Sequence, residues 1–489
     1  MRFFRLSRNF SAFFLALSLC ASAQEAKAQP QQPAAPAVEK KITPAERDEL
    51  FKSVDEILRW VSKNTGLPVR SEIKRQLSTR DEVQRYVEER MAEDEDQKRL
   101  ERSELVLKKF GLLPRDFNLR PFMIALLKDQ VAGFYDSRKK TVHLLDWIDT
   151  ASQKPVMAHE LTHALQDQSV DLDKWVKEAR ERAKKAPDRE TAETELDEMI
   201  SARAAMLEGQ GMAVLVDYIL EPQGRSLRDS PQVAEYLKVN MTTGRGSEVL
   251  ESAPLLLRES LVFPYRDGLG FVQALLENGG LKRAYVGALQ EPPRNTRDIL
   301  DPQSYLEKQA LPGMKIPALA KALGNDYQRY DVGSIGQFDI VLFGKQFSSN
   351  VDARELSAAW RGGFYYAALT AAGAKKASPT TADMAVLYAS QWSSPEMAQR
   401  FADLYAKSFR IKYASTQTVD GKWTSEEGPL SVEVIGDRLI IMESFDAKTA
   451  ARLRAAVLNG ASAEKVARTG NISLTTVAPI HAVHLLLHH

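Results

Sequence analysis

"MAHELTHALQDQ", residues 157–168, decides how this chain is read, because His159, Glu160 and His163 follow the order His-Glu-x-x-His. On a helix, residues i and i+4 share a face one turn apart, so both imidazoles can reach one zinc ion at roughly 2.0–2.1 Å each. Glu160 then stands beside the ion without binding it, placed to take a proton from a zinc-activated water and return it to a leaving amine. Met157, Leu161, Ala164 and Leu165 follow the i, i+4, i+7, i+8 spacing of an apolar stripe for the core, and both histidines project from the other side. A polar face of an ordinary helix is the bland alternative. With seven histidines in 489 residues, two at this spacing with a glutamate between them are hard to reach by chance.

Zinc needs a third protein ligand. Cysteine is excluded, because Cys20 is the chain's one cysteine and falls in an N-terminal leader. The metzincin continuation wants Gly and His at fixed steps, where this chain has Gln166 and Ser169. A downstream carboxylate remains. Glu193, Glu195, Glu198 and Glu208 all lie on the helix expected after Pro187, with Asp188 as its N-cap. The first two sit in the charged "ETAETELDE" and read as solvated, and Glu198 lacks small neighbours. Glu208 stands among Ala204, Ala205, Gly209 and Gly211, which let two helices approach closely, so it is the expected ligand with Glu198 in reserve. Glycines inside a helix cost up to about 1 kcal/mol each and call for a packing or functional reason.

The leader itself is legible. Arg2, Arg5 and Arg8 precede the apolar "FSAFFLALSLCASA", a pattern of basic, apolar and small residues that reads as a signal peptide over residues 1–23. Its apolar run is too short for a comfortable membrane span. Cleavage removes three arginines and no acid, taking 66 basic against 65 acidic residues to 63 against 65. So balanced a chain points to no nucleic-acid partner and, once cleaved, to no integral membrane span. The expected location is periplasmic or extracellular. Residues 24–43, rich in Pro, Gln and Ala, read as a flexible linker.

From residue 44 to about 110 the pattern is mostly helical, with a capping box expected at Thr79 and Glu82. Two β-rich runs, 131–135 and 141–145, flank a polar turn and suggest a hairpin. After about residue 325 the pattern changes. "FYYAALTA", "TADMAVLYASQW", "PLSVEVIG" and "DRLIIMES" read as strands, "SPEMAQRFADLYAKSF" and "DAKTAARLRAAVL" as helices. The expectation is an α+β protein: a mainly helical unit with a small edge sheet over residues 44–325, then an α+β unit over 326–489. The final "HAVHLLLHH" could align His481, His484 and His488, but with no carboxylate it reads as a fraying tail rather than a second metal site.

"QVAGFYDSRKKTVHLLDW", "HELTHALQDQ", "AAMLEGQGMAVLVDYIL", "FPYRDGLGFVQALLENGG" and "PPRNTRDILDPQSYL" together resemble a family of exported bacterial zinc metallopeptidases of the gluzincin, thermolysin-like type. The resemblance spans about residues 110–310. It implies His159, His163 and Glu208 as ligands of one Zn²⁺ per chain, Glu160 as general base, and a peptide or protein as substrate. It also implies an edge strand that binds substrate in extended form, here Val131, Ala132, Gly133 and Phe134. The chain departs from the family at Met212, where gluzincins often carry an acid that orients a ligand, and at Asp301, where relatives carry His. Asp167, one turn beyond His163, is the candidate for that orienting acid, and Tyr265 in "FPYRDG" the candidate donor to a developing oxyanion. Two rival readings stand beside the peptidase: a zinc-holding scaffold of the cell envelope, and a hydrolase of non-peptide substrates.

Overall fold

The computed structural model describes residues 41–91, 94–243, 247–419 and 422–468. The leader, the linker up to residue 40 and the tail with His481, His484 and His488 lie outside the described residues. Among the described residues no helix is long and apolar enough to cross a membrane.

Local signals set the first helix. In Pro44–Thr65 the Thr43 hydroxyl takes the Glu46 N–H at 3.2 Å, and the Glu46 carboxylate takes the Thr43 N–H at 2.7 Å. Gly66 ends it in the left-handed region. The same reciprocal cap forms between Thr79 and Glu82 at the head of Arg80–Met91. Between the two helices, Lys74–Ser78 is a strand (β1) in a stretch whose pattern suggested helix. It pairs in parallel with β3, Thr141–Leu145, which pairs antiparallel with β2, Phe134–Asp136, giving a small sheet of order β1-β3-β2. The hairpin is therefore real, with its first strand starting three residues later than the β-rich run.

Thr150–Val170 follows, capped by Asp149, whose carboxylate accepts the Ser152 N–H at 2.9 Å. It is buried from Pro155 to Asp167 on every face. Its apolar stripe enters the core, and its histidine face is covered by Arg189–Leu220, a 32-residue helix capped by Asp188. That long helix crosses Leu255–Lys282 where both backbones lack side chains. A Cβ on Gly209 would lie 2.2 Å from the Gly268 carbonyl oxygen, and one on Gly268 would lie 2.0 Å from that of Ala205. Backbone cannot swing aside as a flexible side chain can. Gly268→Ala should therefore cost more than the roughly 1–3 kcal/mol typical of overpacking, read as a lowered urea midpoint; an unchanged midpoint would show that the two helices separate without penalty.

Beyond residue 325 a seven-stranded antiparallel sheet forms, in the order β4-β5-β6-β10-β9-β8-β7. Its strands are Tyr327–Ser334, Trp360–Thr370, Met384–Trp392, Thr416–Val419, Lys422–Ser425, Gly428–Ile435 and Arg438–Glu443. Alternate residues serve two cores. Phe364, Tyr366, Leu387 and Ile440 meet the Ala447–Arg468 helix through Leu453 and Val457. Tyr365, Val386, Tyr388 and Ile441 meet Pro395–Lys412 through Phe401 and Tyr405, in a core continuous with that of the helical unit. The Asp94–Phe110 helix joins the units. Phe110 lies edge-on to Tyr365 at 5.7 Å, and the buried Lys109 ammonium donates to Glu427 at 2.8 Å and Ser444 at 2.7 Å. The architecture is mainly helical with two sheets, as the α+β expectation had it.

Candidate metal centre

His159 and His163 stand on successive turns with their rings nearly perpendicular, centroids 4.7 Å apart. Their Nε2 atoms lie 3.0 Å from each other. Glu208, from the neighbouring helix, brings Oε2 to 3.2 Å from His159 Nε2 and 3.3 Å from His163 Nε2. These three atoms make a near-equilateral triangle. A tetrahedral ion with bonds of roughly 2.0–2.1 Å needs donor separations of about 3.3–3.4 Å, so the triangle fits one face of its coordination shell. Among the described residues this is the one group of three or more His, Cys, Asp or Glu side chains close enough to share an ion.

The charges agree with the geometry. Burial disfavours imidazolium at both histidines, and lowers His159. At His163 burial is the largest single influence, but the Glu208 carboxylate, together with Glu160 and Gln166, outweighs it and raises the imidazole to about 9. Burial alone would push Glu208 up, yet His163 and His159 hold it far below the ordinary carboxylate range. Two imidazole lone pairs and a carboxylate oxygen aimed at one point repel unless a positive charge lies among them. A proton on His163 satisfies this in the metal-free protein, and a cation at the centre of the group would do so more fully. The donors present therefore fit zinc.

Small residues make the convergence possible, as the sequence led one to expect at Glu208. A Cβ on Gly211 would stand 2.7–3.0 Å from the His159 ring, so only glycine leaves the ring its place. That ring also lies near-parallel to Tyr265, centroids 6.3 Å apart at 23°. Glu160 is buried beside the triangle, and its Oε2 accepts the Tyr135 N–H of β2 at 3.0 Å. Burial raises its carboxyl to about 8; the neighbouring His163 and the Tyr135 N–H oppose that rise and Glu208 adds to it.

Other expected residues are placed differently. Asp167 does not orient a histidine: its Oδ2 takes the Tyr135 hydroxyl at 2.8 Å and Lys140 at 2.7 Å, and its Oδ1 takes the Leu172 N–H at 3.1 Å. The orienting partner is Gln166, whose Oε1 lies 2.8 Å from His163 Nδ1. Of Val131, Ala132, Gly133 and Phe134, only Phe134 belongs to the edge strand β2, and all four are buried. Phe134 turns away from the triangle to stack on His143 at 4.2 Å. His143 is itself held by Ser78, Oγ to Nδ1 2.9 Å, on the far face of the small sheet. Glu193 pairs with Arg189 at 2.7 Å.

Glu198 is buried for a reason its sequence context did not reveal. Its Oε2 takes the Thr296 N–H at 3.1 Å and the Thr296 hydroxyl at 2.8 Å. Burial first, then the Asp339 carboxylate, raises Glu198 from 4.5 to about 7. A folded-state value above the unfolded one means that its contribution is fully present below 4.5 and is lost as pH rises through about 7. Glu198→Gln should flatten the pH dependence of stability across that window by roughly 1–3 kcal/mol. Urea titrations of both proteins across the window check this, and parallel curves would count against it.

The centre is closed. Its four residues are 1–5 % exposed, and two clefts among the described residues are lined by other groups. One of about 600 Å³ runs between the Asp94–Phe110 helix and β4, and a smaller one of about 150 Å³ adjoins His143. Comparison of the chain with protein-family models, with curated proteins and with solved structures found no match in any of the three.

Proposed function

We propose that the protein is an exported zinc metallopeptidase of the gluzincin type. The observation that carries this is the triangle of His159 Nε2, His163 Nε2 and Glu208 Oε2 with the Glu160 carboxylate beside it. Two imidazoles and one carboxylate are the donor set of catalytic zinc sites that keep a position open. Zinc held there would supply Lewis-acid polarisation of a scissile carbonyl and would acidify water at neutral pH. Glu160 accepts the proton from the attacking water and delivers it to the departing amine, and the Tyr135 N–H fixes which carboxylate oxygen is free to do so. Tyr265, stacked on His159, is our candidate for a donor to the oxyanion. An extended peptide would lie along β2, which requires the elements covering Val131–Phe134 to part.

That closure favours a second reading, a structural zinc site in a binding protein, since structural sites are sealed and catalytic ones are open. Metal analysis together with a broad peptide library separates the two. One zinc per chain with hydrolysis supports the peptidase, and one zinc with no peptide cut supports the scaffold. Hydrolysis confined to ester or other non-peptide substrates would move the reading to a different metallohydrolase. Export is tested by N-terminal sequencing of the cell-envelope protein, which should begin near Gln24; a chain beginning at Met1 excludes signal cleavage.

A further inference from the structure

Two buried glutamines that lie outside the proposed chemistry form a directed chain ending on His163. The Gln210 side-chain amide donates to the main-chain carbonyls of Ala284 at 2.7 Å and Tyr285 at 3.2 Å. Both belong to Arg283–Gly287, a π-helical turn following the break at Gly280. Wider turns tilt carbonyls out of the regular ladder and leave them able to accept from a side chain. Because a carbonyl oxygen can only accept, the nitrogen of Gln210 must face the turn, and its oxygen must face the other way. There it accepts from Gln166 Nε2 at 2.8 Å, which also donates to the Leu207 carbonyl at 3.1 Å. Gln166 is thereby oriented in turn, with Oε1 presented to His163 Nδ1 at 2.8 Å. An amide oxygen demands a donor, so Nδ1 carries a hydrogen, and in the neutral imidazole that a metal requires the Nε2 lone pair is then the one left facing Glu208 and His159.

We propose that Gln166 and Gln210 are positioning residues that fix the tautomer and ring orientation of His163 for metal binding. The inference rests on the reading of His163 as a ligand. Its physical content is that a neutral imidazole free to choose would spend part of its time with hydrogen on Nε2, where it cannot bind an ion. Outer hydrogen bonds of this kind are typically worth about 10–100-fold in metal affinity. Neither glutamine touches the triangle centre, and Gln210 is one full residue layer removed from His163.

The test uses the full mature chain, zinc titration against a competing chelator, and ¹H–¹⁵N spectra of histidine-labelled, zinc-loaded protein, with the His163 signals assigned by their loss in His163→Ala. Gln166→Met should weaken zinc about 10–100-fold, and Gln210→Met several-fold in the same direction. The unsubstituted protein should show His163 bound through Nε2, with a slowly exchanging Nδ1–H that shifts in Gln210→Met; a merely structural Gln210 would lower stability and leave that proton where it was. If Gln166→Met fails to fold, the spectrum of the unsubstituted protein still decides, because hydrogen on Nε2 of His163 overturns the proposal. Equal zinc affinity in folded Gln166→Met and the unsubstituted chain overturns the relay alone. Absence of zinc binding by the unsubstituted chain overturns the metal reading beneath it.

Discussion

Glu208→Ala is expected to weaken zinc binding by more than the roughly 10–100-fold that losing an outer partner of a ligand costs. The substitution removes one of three donors and also the negative charge that draws a cation to a buried point. What remains is a pair of imidazole nitrogens 3.0 Å apart with only the Glu160 carboxylate, outside the triangle, as a counter-charge, a poorer site for an ion and for a proton. The helix itself should survive, since alanine favours helix and Glu208 is flanked by Leu207 and Gly209 in a continuous helical run. Glu198→Ala supplies the comparison on the same helix. It strips the partner from the Thr296 N–H and hydroxyl, so it should cost roughly 1–3 kcal/mol of stability while leaving zinc affinity unchanged. Both variants titrated with zinc in competition with a chelator give the answer. Loss of affinity in Glu198→Ala and not in Glu208→Ala would mean that the wrong carboxylate has been named.

The sequence disclosed those parts of the site whose signals are local. His159, Glu160 and His163 are fixed by a four-residue spacing on a helix, and Glu208 by the small residues around it, because close approach of two helices demands them wherever they fall. Caps at Thr79 and Asp188 were equally readable, each a short-range hydrogen bond between neighbours in the chain. What stayed hidden depends on partners far along the chain. β1, "KRQLS", has no β-branched residue, and it is a strand because Thr141–Leu145 lies alongside to pair with it. Close approach of the Glu208 helix to the histidine face was legible, but burial of the His159 helix on every face from Pro155 to Asp167 was not. Asp167 and Gln166 both lie within one turn of His163, at i+4 and i+3. Which of them meets the ring was decided by Tyr135 and Lys140, which claim the aspartate, and by Gln210, which aims the glutamine. Gln210 gives no periodic signal, and its role exists only once the π-helical turn at 283–287 is in place. An amide two residues past Glu208, inside an otherwise apolar run, was the one hint available.

Glu160→Gln should abolish turnover while leaving fold and zinc intact, with a rate loss on the order of 10²–10⁴. The two oxygens of the carboxylate have different roles. Oε2 is engaged by the Tyr135 N–H at 3.0 Å, a bond that a glutamine oxygen accepts equally well, so the side chain keeps its place and the small sheet keeps its link to the helix. Glu160 is not a corner of the donor triangle, so zinc stoichiometry should stay at one per chain. What changes is the other end of the side chain. An amide nitrogen presents hydrogens where the carboxylate presented a lone pair, and it can neither take a proton from water nor pass one to an amine. The loss should therefore appear in kcat, with KM little altered, because a proton shuttle acts in the transition state rather than in substrate binding. Glu160→Asp makes a useful second variant, since it restores a base but draws it back by about one C–C bond, and it should recover part of the rate. Measurement requires a peptide that the unsubstituted protein cleaves, zinc analysis of each variant, and a thermal melt to show that all are folded. Full activity in zinc-loaded Glu160→Gln would take the general base away from this residue, and hydrolysis would then have to draw its proton acceptor from another group at the centre.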